Sequence, residues 1–192
     1  LISIGRYGDP RPAAYKTLMI LIMSDLALLL GVVSVFVSTG NLSLTQIRVT
    51  NPSLEFVFAL FFVAAIAKAA AIPLHTWVPD SASVAPTPVV AMIPAALDKF
   101  LGIYLLTRIS YQLFAVFSLG LIVSIIGAIT MLLGVLMALV QRDIKRLLGF
   151  HAISQVGYMF LGVGLGSALG LAGGLFHMLN NSIYKMCLFL GA

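Results

Sequence analysis

Charge is what this sequence has least of. Only 9% of its 192 residues are Asp, Glu, Lys or Arg, against about 25% in a soluble globular domain, which excludes an ordinary water-facing fold. Cysteine is almost missing. The single Cys187 lies in an apolar run, so no internal disulfide forms and no cysteine cluster can hold an iron–sulfur centre; it reads as a small core hydrophobe. No GxGxxG and no GKT loop occurs, so no phosphate-cradling motif is offered to a nucleotide. Short alternating segments, the mark of a membrane barrel, are missing as well.

What is present is apolar. Hydrophobic residues make up 61% of the chain and the mean hydropathy is +1.11. Runs near the ~20 residues that cross a bilayer core predict an all-α, polytopic transmembrane bundle in lipid. We place spans over 14–38, over 54–72 with a break at Pro73, and over 89–108, 112–140 and 147–166, with a further one starting at Leu171. The 33 residues from Ile109 to Gln141 hold no charge. His75–Pro88 (HTWVPDSASVAPTP) reads as a re-entrant or surface link. Leu1–Gly5 reads as the tail of a helix, and LFLGA stops inside an apolar run. The expectation is one transmembrane domain over 1–192, a piece of a longer protein.

The net charge of +5 reports on loops rather than on nucleic acid, which is not an expected partner. Arg6, Arg11, Lys16, Arg142, Lys145 and Arg146 alternate to one side, Arg48 and Arg108 to the other. The positive-inside rule then puts the N-terminus and the QRDIKR loop on the cytoplasmic side.

Lys68 carries most information. It sits in LEFVFALFFVAAIAKAAAI, where a charge costs roughly 2.5–3.5 kcal/mol on insertion scales. Pro73 removes the helical bond to the Ala69 carbonyl, and broken backbone is tolerated in membranes where it is buried in protein or lines water. A lysine beside a freed carbonyl points to a hydrated pocket on an ion path. The plainer alternative is a packing kink with a snorkelling lysine. Asp25 lies eleven residues into the first span, ~17 Å deep, and Lys68 is its natural partner; a purely structural pair is the alternative.

The third span repeats the theme. Pro94 frees the carbonyl of Val90, and Asp98 and Lys99 follow one turn on. Neighbours on a helix point ~100° apart, so these two face different partners, unless they form a local pair that neutralises itself. Lys99, turned to the core, could trade protons with Lys68 through water. His75 could admit protons or merely cap a surface. His151 and His177 could relay protons or be satisfied core histidines. Lys185 follows His177 by two turns on roughly one face, with Asn180 and Asn181 between. The runs LGVGLG and GLAGG read as close helix packing.

AKAAAIPLHTWVPDSASVAPTPVVAMIPAALDKFLGIYLLTR, QRDIKRLLGFHAISQVGYMFLG and GGLFHMLNNSIYKMCLFLGA resemble, in order and spacing, the antiporter-like membrane subunits of respiratory complex I. Membrane-bound hydrogenases of the formate hydrogenlyase type and Mrp cation/proton antiporters share that family. The resemblance implies about fourteen helices in two inverted repeats, each with one broken helix. This chain would run from the end of the fifth helix to the start of the eleventh. Lys68 matches the broken-helix lysine, Asp25 an acidic position on the preceding helix, and Lys185 a lysine of the later repeat. Pro94 stands where the largest complex I subunit type has a histidine. Lys99 is offset by one residue from the lysine of other types, and LDKFLGIYLL is most similar to hydrogenase-associated members.

The resemblance implies a proton- or sodium-translocating subunit of a redox-driven complex, complex I-like or hydrogenase-like. Its path would use Lys68, Asp25, Asp98, Lys99, His151, His177 and Lys185, with breaks at Pro73 and Pro94. No redox chemistry or cofactor falls to this chain. Iron–sulfur, flavin or nickel–iron groups would sit on partners, which would be other membrane subunits and a peripheral redox arm. The membrane would be a bacterial or archaeal plasma membrane. Alternatives are a stand-alone Mrp-type antiporter and a scaffold that has lost transport.

Overall fold

A computed structural model describes residues 1–4, 9–41, 55–113 and 117–192. Arg6 and Arg48, used above for orientation, lie outside the described residues. The described chain is helical: α1 (Arg11–Thr39), α2 (Glu55–Ala69), α3 (Trp77–Val84), α4 (Thr87–Met92), α5 (Asp98–Arg108), α6 (Phe117–Leu139), α7 (Ile144–Gly164) and α8 (Ala168–Leu190). A π-helical turn, Ile93–Leu97, joins α4 to α5, and a second, Ile109–Leu113, extends α5. Residues 2–4 form a single 3-10 turn. Among the described residues, four stretches are long and apolar enough to cross a bilayer: Arg11–Thr39, Thr87–Leu113, Gly120–Leu139 and Ile144–Gly164. The 23 residues of α8 reach about 34 Å at 1.5 Å each.

Helix ends follow local chemistry. Pro12 occupies the first turn of α1, where a missing N–H costs nothing. Gly40 closes that helix at φ +66°, its N–H bonding the Phe36 carbonyl. Asp143 and Ser167 cap α7 and α8 by accepting from the N–H groups of Arg146 and Gly170.

Lipid supplies no hydrophobic drive between helices, so close backbone approach matters. A side chain at Gly157 would collide with Met131 and the Gly127 carbonyl, and one at Gly164 with Ser124. These glycines seat α6 on α7, while Gly162 meets Gly170 and Gly174 of α8. The glycine-rich runs pack as their composition suggested. Cys187 does not: it is exposed on α8, because the buried stripe of that helix is Gly174, Met178, Asn181, Lys185 and Phe189.

Two proline expectations change. The break comes before Pro73. α2 ends at Ala69, and Ala70 turns left-handed at φ +60°. Ala71 N–H then bonds the Ile66 carbonyl and Ala70 N–H the Ala67 carbonyl, a Schellman terminus with alanine in the place glycine usually takes. Beyond it, the stretch read as a re-entrant or surface link holds α3, with Trp77, Val78, Pro79, Ser81 and Ala82 buried, so the surface alternative falls. It is the second half of the broken helix. At Pro94 there is no break: the helix runs through it as the π turn, and Asp98 N–H bonds the carbonyl of Ile93, five residues back. Widening the turn accommodates a residue that cannot donate.

Candidate functional site

Three tethers hold the break open as a gap between α2 and α3. The indole N–H of Trp77 donates to the Ala67 carbonyl at 3.1 Å. Ile72 N–H donates to Thr130 Oγ1 of α6 at 3.2 Å. The Ser24 hydroxyl of α1 donates to the Ala64 carbonyl at 3.2 Å. The Ala67 carbonyl and the Ile72 N–H at the break thus find partners inside protein, as a membrane interior requires, while Ser24 braces α2 one turn earlier. Thr130 and Ser24 escaped the sequence reading, since a hydroxyl in an apolar helix carries no signal of what it caps. Trp77 was more legible: it is the one tryptophan of the chain, placed just after the break.

Lys68 occupies the last turn of α2, where the negative end of the helix dipole favours a cation. Its Nζ lies 2.6 Å from Asp25 Oδ1 on α1, with side chains 21% and 54% exposed respectively. The lysine therefore pairs instead of snorkelling. Asp98 completes this first site. It stands within electrostatic reach of both Lys68 and Asp25, and its buried Oδ2 has no partner among the described residues.

Lys99, the next residue, faces the other way. It is 1% exposed, its Nζ has no partner among the described residues, and it lies in the field of Lys185. Lys185 is wholly buried. Its Nζ is 2.6 Å from His151 Nδ1 and 3.4 Å from the Leu148 carbonyl, to which it donates. His151 feels both lysines. Asn181, one turn before Lys185, is buried, and neither of its amide atoms has a partner among the described residues. Lys99, Lys185 and His151 make a second site, assembled from α5, α7 and α8.

Two histidines stand apart from both groups. His177 does not join Lys185; its ring meets Tyr158 edge-on at 5.9 Å, because eight residues leave the two side chains about 80° apart around a helix. His75 is no surface cap. It is buried in the turn before α3, tilted against Phe150.

A third cluster marks one face of the bundle. Asp80 of α3 accepts from Lys16 of α1 at 2.7 Å and from Arg146 of α7 at 3.4 Å. Lys145 donates to Thr87 Oγ1 at 2.8 Å. The start of α1 and the QRDIKR loop therefore share one face, with the second half of the broken helix clamped between them.

Comparison with known proteins follows the same lines. The family described as NADH:quinone oxidoreductase/Mrp antiporter, transmembrane, matches residues 3–192. The chloroplastic NAD(P)H-quinone oxidoreductase subunit 5 of Barbarea verna is 38% identical over 181 residues, covering 88% of this chain and 24% of that protein. The chain thus spans about a quarter of the length of that relative. Among solved structures, the Mrp complex from Dietzia sp. DQ12-45-1b superposes with a TM-score of 0.85 at 28% identity, over 97% of this chain and 36% of the other. The membrane-bound sulfane sulfur reductase, an archaeal respiratory membrane complex, gives 0.86 at 30% identity, over 94% and 39%. Both of these structures are complexes.

Proposed function

We propose, for a chain that belongs to the NADH:quinone oxidoreductase/Mrp antiporter membrane family, that it forms the core of an ion-translocating membrane subunit in a respiratory complex, complex I-like or hydrogenase-like. The ion is a proton, with sodium the alternative. The observation that carries this reading is the Lys68–Asp25 pair at the end of a broken helix, a charge kept where the bilayer penalises it. The residues here correspond to the central part of a longer subunit.

The mechanism is electrostatic. Closed, the pair holds its charges. A displacement imposed by a neighbouring subunit separates Asp25 from Lys68. The ammonium, deprived of its counter-charge in a poorly solvated setting, gives up its proton. The proton moves by water toward Lys99 and the Lys185–His151 contact. His177, outside both groups, has at most a peripheral part. Partners are further membrane subunits and a peripheral redox arm, and any flavin, iron–sulfur or nickel–iron group belongs to that arm. The membrane on this reading is a bacterial or archaeal plasma membrane, for which the likeness to an archaeal respiratory membrane complex speaks and against which the chloroplastic relative stands, and the Asp80 face looks to the cytoplasm.

Lys68→Met in the full-length complex, reconstituted into vesicles, is expected to abolish translocation while the complex still assembles. Translocation at the wild-type rate would overturn the reading. A second reading, a redox-independent Mrp-type antiporter, is favoured by the likeness to the Dietzia complex. Sodium–proton exchange with no electron donor present would select it.

A further inference from the structure

The end of the broken helix is built of alanine. Residues 64–71 read AAIAKAAA. Every alanine in that run is fully buried, with Lys68 among them. Such short side chains let neighbouring backbones come close. α5 comes in at Gly102, the only glycine of that helix and itself buried. A side chain at Gly102 would put its Cβ 2.4 Å from the Ala69 nitrogen and 2.8 Å from Ala69 Cα and Cβ. Those atoms belong to the main chain or are fixed to it, so none can rotate aside. Ordinary contact begins near 3.4 Å. A methyl group there would therefore drive the last turn of α2 away from α5 by about 1 Å, the difference between those distances. Ala69 is the residue after Lys68 and the last of α2. Gly102 lies one turn beyond Asp98, whose carboxylate is in the field of Lys68. Ser24, Trp77 and Thr130 hold the same helix end by hydrogen bonds, which can lengthen. The seat on Gly102 is backbone against backbone and has no such slack.

We propose that Gly102 is a positioning residue for translocation: its bare backbone seats the turn that carries Lys68 on α5, and so sets how far the ammonium stands from the Asp98 carboxylate. The assignment rests on the translocation reading above. Gly102 touches no ion and moves no proton; it acts through Lys68. The two carboxylates respond differently to a shift of that turn. Lys68 Nζ is in direct contact with Asp25, and the long lysine side chain can follow it. Asp98 is short and fixed to α5, so its separation from Lys68 is the separation of the two helices.

The test uses the full-length complex in vesicles, with assembly and thermal unfolding followed alongside. A reacting group misplaced by 1 Å can cost about 100-fold in rate, so Gly102→Ala is expected to slow translocation more than tenfold. Gly164→Ala is the packing control. Its Cβ would meet the Ser124 nitrogen at 2.6 Å between α6 and α7; it should lower the unfolding temperature and leave translocation nearly unchanged. Adding Asp98→Glu to Gly102→Ala should recover much of the rate, because the carboxylate then reaches one methylene further. Adding Gly102→Ala to Asp98→Asn should cost little more than Asp98→Asn alone. A loss that Asp98→Glu does not relieve and that multiplies with Asp98→Asn would mark a packing defect and overturn the proposal. So would Gly102→Ala at the wild-type rate. If Lys68→Met is inactive while Gly102→Ala is not, the positioning assignment alone falls. If Lys68→Met is active, the translocation reading falls with it. Should Gly102→Ala fail to assemble, Ala69→Ser sets a smaller wedge in the same seat from the α2 side. It is expected to slow translocation with the same relief by Asp98→Glu, and a wild-type rate for Ala69→Ser would overturn the proposal.

Discussion

The two lysine sites differ in what surrounds the charge. Lys68 has carboxylates at hand, Asp25 in contact and Asp98 in range, and it opens partly outward. Lys99 and Lys185 are sealed and have a histidine for company. The first site is built on a helix that ends at Ala69 beside a break, the second on helices that continue past it unbroken. A buried charge persists when it is paired, so the first site suits storage of a charge. In the second, a 2.6 Å contact between Lys185 Nζ and His151 Nδ1 requires one nitrogen to donate and the other to offer a lone pair. Two bases sharing a proton suit passage. The difference teaches that one family of residues, lysines in apolar helices, meets two electrostatic settings according to whether a carboxylate can reach it.

The comparison is sharpened first by Lys185→Met. It removes the shared proton and leaves the Lys68 site untouched, and translocation in vesicles should fall by about 100-fold, equivalent to ~2.7 kcal/mol on the barrier. A wild-type rate would make the second site a structural ornament of the first. His151→Phe should cost less, roughly tenfold, since Lys185 keeps the Leu148 carbonyl. His151→Gln, which still accepts a hydrogen bond, should recover part of the rate.

Thr130→Val tests the break itself. It strands the Ile72 N–H, and an unsatisfied buried donor costs about 1–3 kcal/mol. Thermal unfolding in detergent should show the loss, with Thr130→Ser unchanged; equal stability of both variants would mean that α6 does not hold the break. Lys16→Ala should matter least. The pair it forms with Asp80 is partly exposed and Arg146 remains, so the effect should lie within about 1 kcal/mol in the same assay.

Most of the bundle was legible because span length and charge-free runs are one-dimensional signals. Asp25 with Lys68 was legible for a related reason: two opposite charges in adjacent apolar helices have few other partners. The divergence of Asp98 and Lys99 followed from helical geometry alone. What escaped was three-dimensional. Ala70 in the left-handed region left no trace in a run of alanines, so the break was assigned to Pro73, four residues past the helix end. Pro94 looked like a second break because sequence cannot distinguish a kinked helix from one widened by a π turn. His177 and Lys185 were joined by spacing, whereas packing of α7 on α8 gave Lys185 to His151. Cys187 was placed inside by the polarity of its neighbours, since an apolar helix in lipid hides which face is buried.

The most direct measurement is a four-member cycle on the first site: wild type, Asp25→Asn, Lys68→Met and the double variant, each assayed for translocation in vesicles with assembly monitored alongside. If the carboxylate and the ammonium act as one unit, the double variant is no slower than Lys68→Met alone. If instead the two losses multiply as independent effects, or Lys68→Met pumps normally, the Lys68–Asp25 contact is not the element that stores and releases the charge.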